Sequence, residues 1–234
     1  MGTVRVFDDE TALAAAAADA IAMGLARGLE ALGRASIGLS GGRTPAPAYR
    51  ALAAEPLRSR VDWGRVRFYF ADERAVPPGD PESNFRLARE TLIDPLGIPP
   101  RNVHRMKGEY PDLEVAAIEY EAHLDGPIDV LVLGLGEDGH VASLFPGSSW
   151  LSETKRRVAV VTDSPKPPPR RLTLTPRVLS EARHVLVLVT GSAKAAAVAR
   201  ALQGGEGPGQ VPGRLVRERD WYLDRAAAAG LHGV

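Results

Sequence analysis

The feature that most constrains this chain is a series of short, nearly continuous apolar runs separated by stretches of helical character. "ASIGL" (35–39), "VRFYFA" (66–71), "IDVLVL" (128–133), "RVAVVT" (157–162) and "HVLVLVT" (184–190) are rich in β-branched and aromatic residues. They do not alternate apolar with polar as half-exposed strands do, so both faces of these runs are expected to be covered. A short strand around Val4–Phe7, "RLTLT" (171–175) and "DWYLD" (220–224) complete the strand set. Between them lie helical segments. Asp8 or Asp9 can cap a long helix to about Leu32, and Pro45 opens "PAPAYRALA". "ESNFRLARETL", about Leu113–Leu124, and "SAKAAAVARAL" with Ser192 as N-cap follow. The alternation predicts one α/β domain over residues 1–234, a Rossmann-like, mainly parallel sheet with helices on both faces.

Composition removes several function classes. Lys plus Arg and Asp plus Glu number 29 each, so there is no general attraction to nucleic acid or an anionic membrane, and any anion site must be local. The absence of cysteine excludes disulfides, thiolate metal sites and a cysteine nucleophile. The N-terminus "MGTVRVFDDE" is acidic where a signal peptide is basic. "TALAAAAADAIAMGLA" is alanine-rich and interrupted by Asp19, which reads as a helix of a soluble fold rather than a span. A cytoplasmic protein is the expectation.

Four polar or glycine-rich segments follow strands at their carboxyl ends, where open α/β sheets bind ligands. They are "SGGRTP" after Leu39, "DER" after Ala71, "GLGEDGH" after Leu133 and "TGSAK" after Val189. Two are built for an anion. In the first, Gly41 and Gly42 allow close backbone approach, Arg43 adds charge, and the helix opened by Pro45 presents free amides beside Ser40 and Thr44. In the second, Lys194 falls in the first turn of a helix. There it opposes the helix dipole at a cost of a few tenths of a kcal/mol, roughly, unless an anion offsets it. Neither segment is a Walker A loop, so a single phosphate on a small molecule fits better than a nucleotide triphosphate.

Two familiar patterns fail on physical grounds. Gly134-Leu-Gly136-Glu-Asp-Gly139 spells a dinucleotide fingerprint, yet Glu137 and Asp138 would face a pyrophosphate, and Pro146-Gly147 cuts short the helix that the motif requires. Gly38-Leu-Ser40-Gly-Gly42 spells a nucleophile elbow. However, the helix begins only at Pro45, and His184 and His232 complete no Ser-Asp-His order.

His140, directly after the glycine-rich turn and two residues past Asp138, is the expected general base. An ordinary imidazole, with a pKa near 6.5, is neutral enough at pH 7 to take a proton from water. The five histidines are scattered without metal-ligand spacing, so no metal is expected. Hydrolysis with neither metal nor covalent nucleophile suits an already activated ester.

"GLSGGRTP", "FYFADERAVPPGDPESNF", "VLVLGLGEDGHVASLFPGS" and "SPKPPPRRLTLT", in this order across essentially the whole chain, resemble the 6-phosphogluconolactonase family. Its superfamily also contains glucosamine-6-phosphate deaminases. The resemblance implies a carboxylic ester hydrolase of the pentose phosphate pathway. It would convert 6-phospho-D-glucono-1,5-lactone to 6-phosphogluconate without a cofactor, as a monomer or weak homo-oligomer. It further implies that Gly41, Gly42, Arg43, Thr44 and Lys194 hold the phosphate and that His140 activates water. Asp138 or Asp72 orients the imidazole in this scheme, and Arg74 stabilises the oxyanion or positions the substrate. Ser40, Lys166 and Arg170 are weaker substrate-binding expectations. The last two lie in a stiff proline-rich loop that either closes over the sugar acid or faces solvent. "VASLFPGS" after His140 separates the chain from the deaminases, which resemble "IAFNEPGS" with a catalytic glutamate. Val141 stands where the lactonases commonly have threonine, and Arg43 where they often have serine or threonine. A sugar-phosphate isomerase or deaminase, and a non-catalytic sugar-phosphate sensor, are the competing classes. A sensor would be expected to carry a DNA-binding segment, for which the chain shows no basic stretch.

Overall fold

A computed structural model describes residues 2–233. Its strands are β1 (Val4–Phe7), β2 (Ala35–Leu39), β3 (Val66–Phe70), β4 (Asp72–Arg74), β5 (Val130–Leu133), β6 (Val158–Val161), β7 (Arg171–Leu174), β8 (His184–Val189) and β9 (Asp220–Asp224). Six of them form one sheet in the order β1-β9-β8-β5-β2-β3, with every pairing parallel. Parallel neighbours need crossovers, and the helices that supply them cover both faces.

Successive strand residues feed opposite cores, which explains the continuous apolar runs. Val130 and Val132 join Leu186 and Leu188 beneath the helices Glu10–Leu32 and Pro45–Ala53. Leu131 and Leu133 join Val185, Val187 and Val189 beneath Leu113–His123 and Ala195–Gln203. Helix Glu10–Leu32 is long and apolar enough to cross a membrane by composition. Yet its stripe Leu13, Ala17, Ile21 and Leu25 is wholly buried against the sheet, as befits a core helix. It starts where Asp9 accepts a hydrogen bond from the amide of Ala12, and ends at left-handed Gly33.

The sequence reading did not separate out a second, three-stranded sheet in the order β4-β7-β6, all antiparallel. "DER" is thus not merely a polar tail to β3 but a short strand of its own. The changeover occurs at Ala71. Its amide donates to Leu39 in the first sheet, and its carbonyl accepts from the Leu174 amide beside the second, each at 2.8 Å. Two other local expectations also shift. "ESNFRLARETL" is α-helical only over Asn84–Ala88 and then widens into a π-turn, Arg89–Ile93. Ser192 does not cap a helix. The Asp224 carboxylate, from the end of β9, accepts from the Gly191 amide instead, and a 3-10 turn over Ser192–Lys194 precedes the helix.

Candidate active site

The carboxyl ends of β2, β5 and β8, together with β4, enclose a cleft of about 590 Å³. Its lining includes Gly41, Gly42, Arg43, Thr44, Asp72, Arg74, His140 and Lys194. The four polar segments singled out in the sequence therefore meet at one place.

The glycine loop after β2 is fixed from below. Ser40 Oγ donates to the Val132 carbonyl at 2.8 Å, and the Ser40 backbone exchanges two hydrogen bonds with the buried Tyr49 hydroxyl. Gly42 has φ +93°, a conformation that favours glycine. A Cβ on Gly41 would overlap the side-chain amide of Asn84. Thr44 Oγ1 lies 2.9 Å from Thr190 Oγ1, which ties this loop to the one after β8.

Lys194 stands across from Arg43, with its Nζ 3.9 Å from Glu137. Burial lowers its pKa, Glu137 opposes that, and the charges of Lys166 and Arg43 lower it further. Arg43 and Lys194 thus both line the cleft, with Glu137 and Asp138 partly offsetting Lys194, an arrangement that favours a bound anion.

In the turn after β5, His140 Nδ1 lies 2.5 Å from Asp138 Oδ1. The turn that brings them together needs its glycines. A Cβ on Gly136 would overlap the imidazole, and Gly139 has φ +88°. The ring packs on Phe145, centroids 4.6 Å apart, and Ala142 beside it is left-handed at φ +49°. Burial pushes the Asp138 carboxyl up, but the hydrogen bonds and charge of His140 outweigh it and hold that carboxyl far below the usual carboxylate range. Asp138 is therefore a fixed anion behind the ring.

Asp72 does not touch His140. It is 6% exposed, and its carboxylate accepts from Ser143 Oγ at 2.6 Å and Asn84 Nδ2 at 3.0 Å. Arg74 donates from Nη1 to the Glu82 carbonyl and to Asn84 Oδ1, at 2.6 and 2.7 Å. Glu73, between them, points away from the cleft. Its carboxylate accepts from the amides of Arg74, Asn84 and Phe85 and from Ser83 Oγ, so it is a structural anchor.

Lys166 and Arg170 are not among the residues that line the cleft. Lys166 is near enough to influence Lys194 and Asp138 by charge, whereas Arg170 reaches toward the Pro111 carbonyl. The neighbouring Arg171, not singled out in the sequence, lines the cleft instead. It is 4% exposed, its guanidinium is bound by the carbonyls of Lys166, Pro167 and Pro168, and Nη1 points toward Ser143. Asn84, Ser143, Thr190 and Asp224 were likewise missed. Pairing of β4 with β7 and of β8 with β9 brings Ser143 and Asp224 to the site, whereas Asn84 is placed by its bonds to Asp72 and Arg74, and Thr190 is the first residue of the strand-end segment "TGSAK".

Residues 8–224 match the family of glucosamine-6-phosphate isomerases/6-phosphogluconolactonase. The chain belongs to this family. A 6-phosphogluconolactonase of Streptomyces coelicolor is 41% identical over 243 residues, covering 97% of this chain and 93% of the relative. One from Mycobacterium tuberculosis is 39% identical over 245 residues and covers 98% of each. Among solved structures, a 6-phosphogluconolactonase from Trypanosoma cruzi superimposes with a TM-score of 0.87 at 30% identity, over 99% of this chain and 97% of that one. The parallel sheet and single-domain fold described above are thus shared with that structure.

Proposed function

We propose that the chain hydrolyses 6-phospho-D-glucono-1,5-lactone to 6-phosphogluconate in the oxidative pentose phosphate pathway, with His140 as general base. The observation that carries the reading is the Asp138–His140 pair beside a cleft that His140 lines together with Arg43, Lys194 and the Gly41–Gly42 loop. Supporting it are the curated lactonases that match the chain along nearly its full length.

The short Nδ1 contact to a carboxylate assigns the imidazole proton to Nδ1 and leaves the Nε2 lone pair free. Nε2 takes a proton from water, and the resulting hydroxide-like oxygen adds to the lactone carbonyl. Negative charge then develops on the carbonyl oxygen, where Arg74 offers a cation. Collapse of the tetrahedral intermediate breaks the bond to the ring oxygen. The imidazolium returns its proton to that oxygen as the ring opens, giving an acid and an alcohol with the base regenerated. Asp138 holds the ring's tautomer and offsets the transient positive charge. The phosphate group, held by Gly41, Gly42, Arg43, Thr44 and Lys194, positions the carbonyl without taking part in the bond changes. Leu144 and Phe145 are buried apolar residues in the segment after His140 and supply no acid for the ring opening of an amino sugar.

The test is the lifetime of freshly prepared lactone followed by rapid NMR, beside an enzyme-free control. Wild type should remove it quickly and His140→Ala should approach the spontaneous rate. A spontaneous rate with wild type overturns the reaction. A fast His140→Ala variant overturns the assignment of the base.

A further inference from the structure

Asn84 is 3% exposed and lines the cleft. Its side-chain amide is read unambiguously from its partners. Nδ2 faces two acceptors, the Asp72 carbonyl at 2.9 Å and Asp72 Oδ1 at 3.0 Å, while Oδ1 faces the Arg74 guanidinium at 2.7 Å. Its own backbone amide is bound to Glu73 Oε1 at 2.8 Å, so the whole residue is immobilised at the first turn of helix Asn84–Ala88. The same Oδ1 occupies the space that a side chain at position 41 would need, so Gly41 sits directly against it. One buried amide therefore touches both the glycine loop and the Arg74 cation beside it.

Arginine side chains are rich in rotamers, and an oxyanion stabiliser works only if its donors are fixed before charge develops. Arg74 Nη1 has two anchors, the Glu82 carbonyl and Asn84 Oδ1, and its buried Nε has no partner. Of the two anchors, Asn84 alone also reaches the glycine loop.

We infer that Asn84 is a positioning residue. It holds the Arg74 guanidinium in its working orientation and sets the distance between that cation and the phosphate-side loop. The inference rests on the proposed lactone hydrolysis for its catalytic consequence, but its physical content is the immobilisation of Arg74.

The experiment has two readouts. In kinetics, Asn84→Ala should lower kcat about tenfold or more, while KM changes by less than about threefold. In an Arg74→Ala background the same substitution should add little, since the two act as a unit. Ser83→Ala removes a helix cap at the neighbouring position and touches neither Arg74 nor Gly41, so it should lower Tm and leave kcat near wild type. In NMR, relaxation of the Arg74 Nε–H, assigned by its loss in Arg74→Lys, should read rigid in wild type and in Ser83→Ala, and mobile in Asn84→Ala. Asn84→Ser repeats both readouts if the alanine variant does not fold. A rigid Arg74 in the Asn84 variants, or full additivity with Arg74→Ala, overturns the inference. A wild type with no turnover overturns the proposed reaction, and the NMR result then judges the positioning role alone.

Discussion

His140 Nδ1 and Asp138 Oδ1 are 2.5 Å apart, although only one residue, a left-handed glycine, separates them in the chain. So short a link fixes the ring from its own turn, without help from a distant strand. Asp138→Asn should keep the fold and lower kcat/KM by about 10²- to 10⁴-fold, because the amide no longer holds the tautomer or balances the imidazolium. Steady-state kinetics at pH 7 with thermal melts of the same samples checks both halves.

The same pair sets a pH signature in stability. The Asp138 carboxyl is held far below its unfolded value of about 3.9, so its stabilising contribution is full above that value and fades as pH falls through the native one. The Tm gap between wild type and Asp138→Asn should narrow as pH falls below about 4. A gap that widens below that pH would contradict the assignment.

Lys194 is lowered by burial and by the nearby charges of Lys166 and Arg43. Its cationic form should therefore disappear at a lower pH than that of an ordinary lysine, and KM should begin to rise earlier on the alkaline side. Lys194→Arg should remove that rise. Lys194→Ala should raise KM by roughly tenfold to a hundredfold at pH 7, the worth of one charge-assisted hydrogen bond. Initial rates across pH 7–10 in wild type and both variants test this.

Neighbouring glycines of one loop should respond differently to alanine. At Gly42, where a Cβ meets nothing, Ala costs only the strain of φ +93°, about 1–3 kcal/mol, and should show mainly in KM. At Gly41 the new methyl displaces the Asn84 amide and so disturbs Arg74 as well. Gly41→Ala is expected to lose kcat more severely than Gly42→Ala, with phosphate-dependent protection against proteolysis reading the loop independently.

Outside the cleft, His104 stacks on Tyr69 at 4.9 Å and lies 4.8 Å from His123, with its Nε2 buried and unpartnered. Burial, then His123 and Arg67, depress its pKa, against a smaller opposing effect of Asp125. A depressed histidine stabilises the native state above its unfolded pKa and less so as pH falls below about 6.5. His104→Phe keeps the stacking and should reduce the loss of urea midpoint between pH 7.5 and 5.0. An unchanged slope would exclude His104 as its source.

The strand-end loops were legible because their chemistry is local. Two glycines before a proline-led helix, or a histidine after a glycine turn, carry their meaning within ten residues. The Asp138-or-Asp72 choice was not legible, since both carboxylates are near His140 in plausible folds and only the distance separates them. Ser143 and Arg171 were missed because an antiparallel pairing between β4 and β7, about a hundred residues apart in the chain, brings them to Asp72. Ser192 was misread as a cap for a related reason. Its local sequence permits that role, but Asp224 from β9 anchors the Gly191 amide and Ser192 lies inside a 3-10 turn rather than ahead of the helix.

Ala71, whose amide serves one sheet and whose carbonyl serves β7 of the other, makes the cleft a seam between two sheets that share a hydrophobic core. The loop that faces the phosphate end belongs to one side of that seam, and Asp72, Ser143 and Arg171 gather on the other. Heat or denaturant that loosens the seam will therefore misalign the site while each sheet still keeps its own ladder. Catalytic competence should be the first property to fade on warming, ahead of any change in secondary structure.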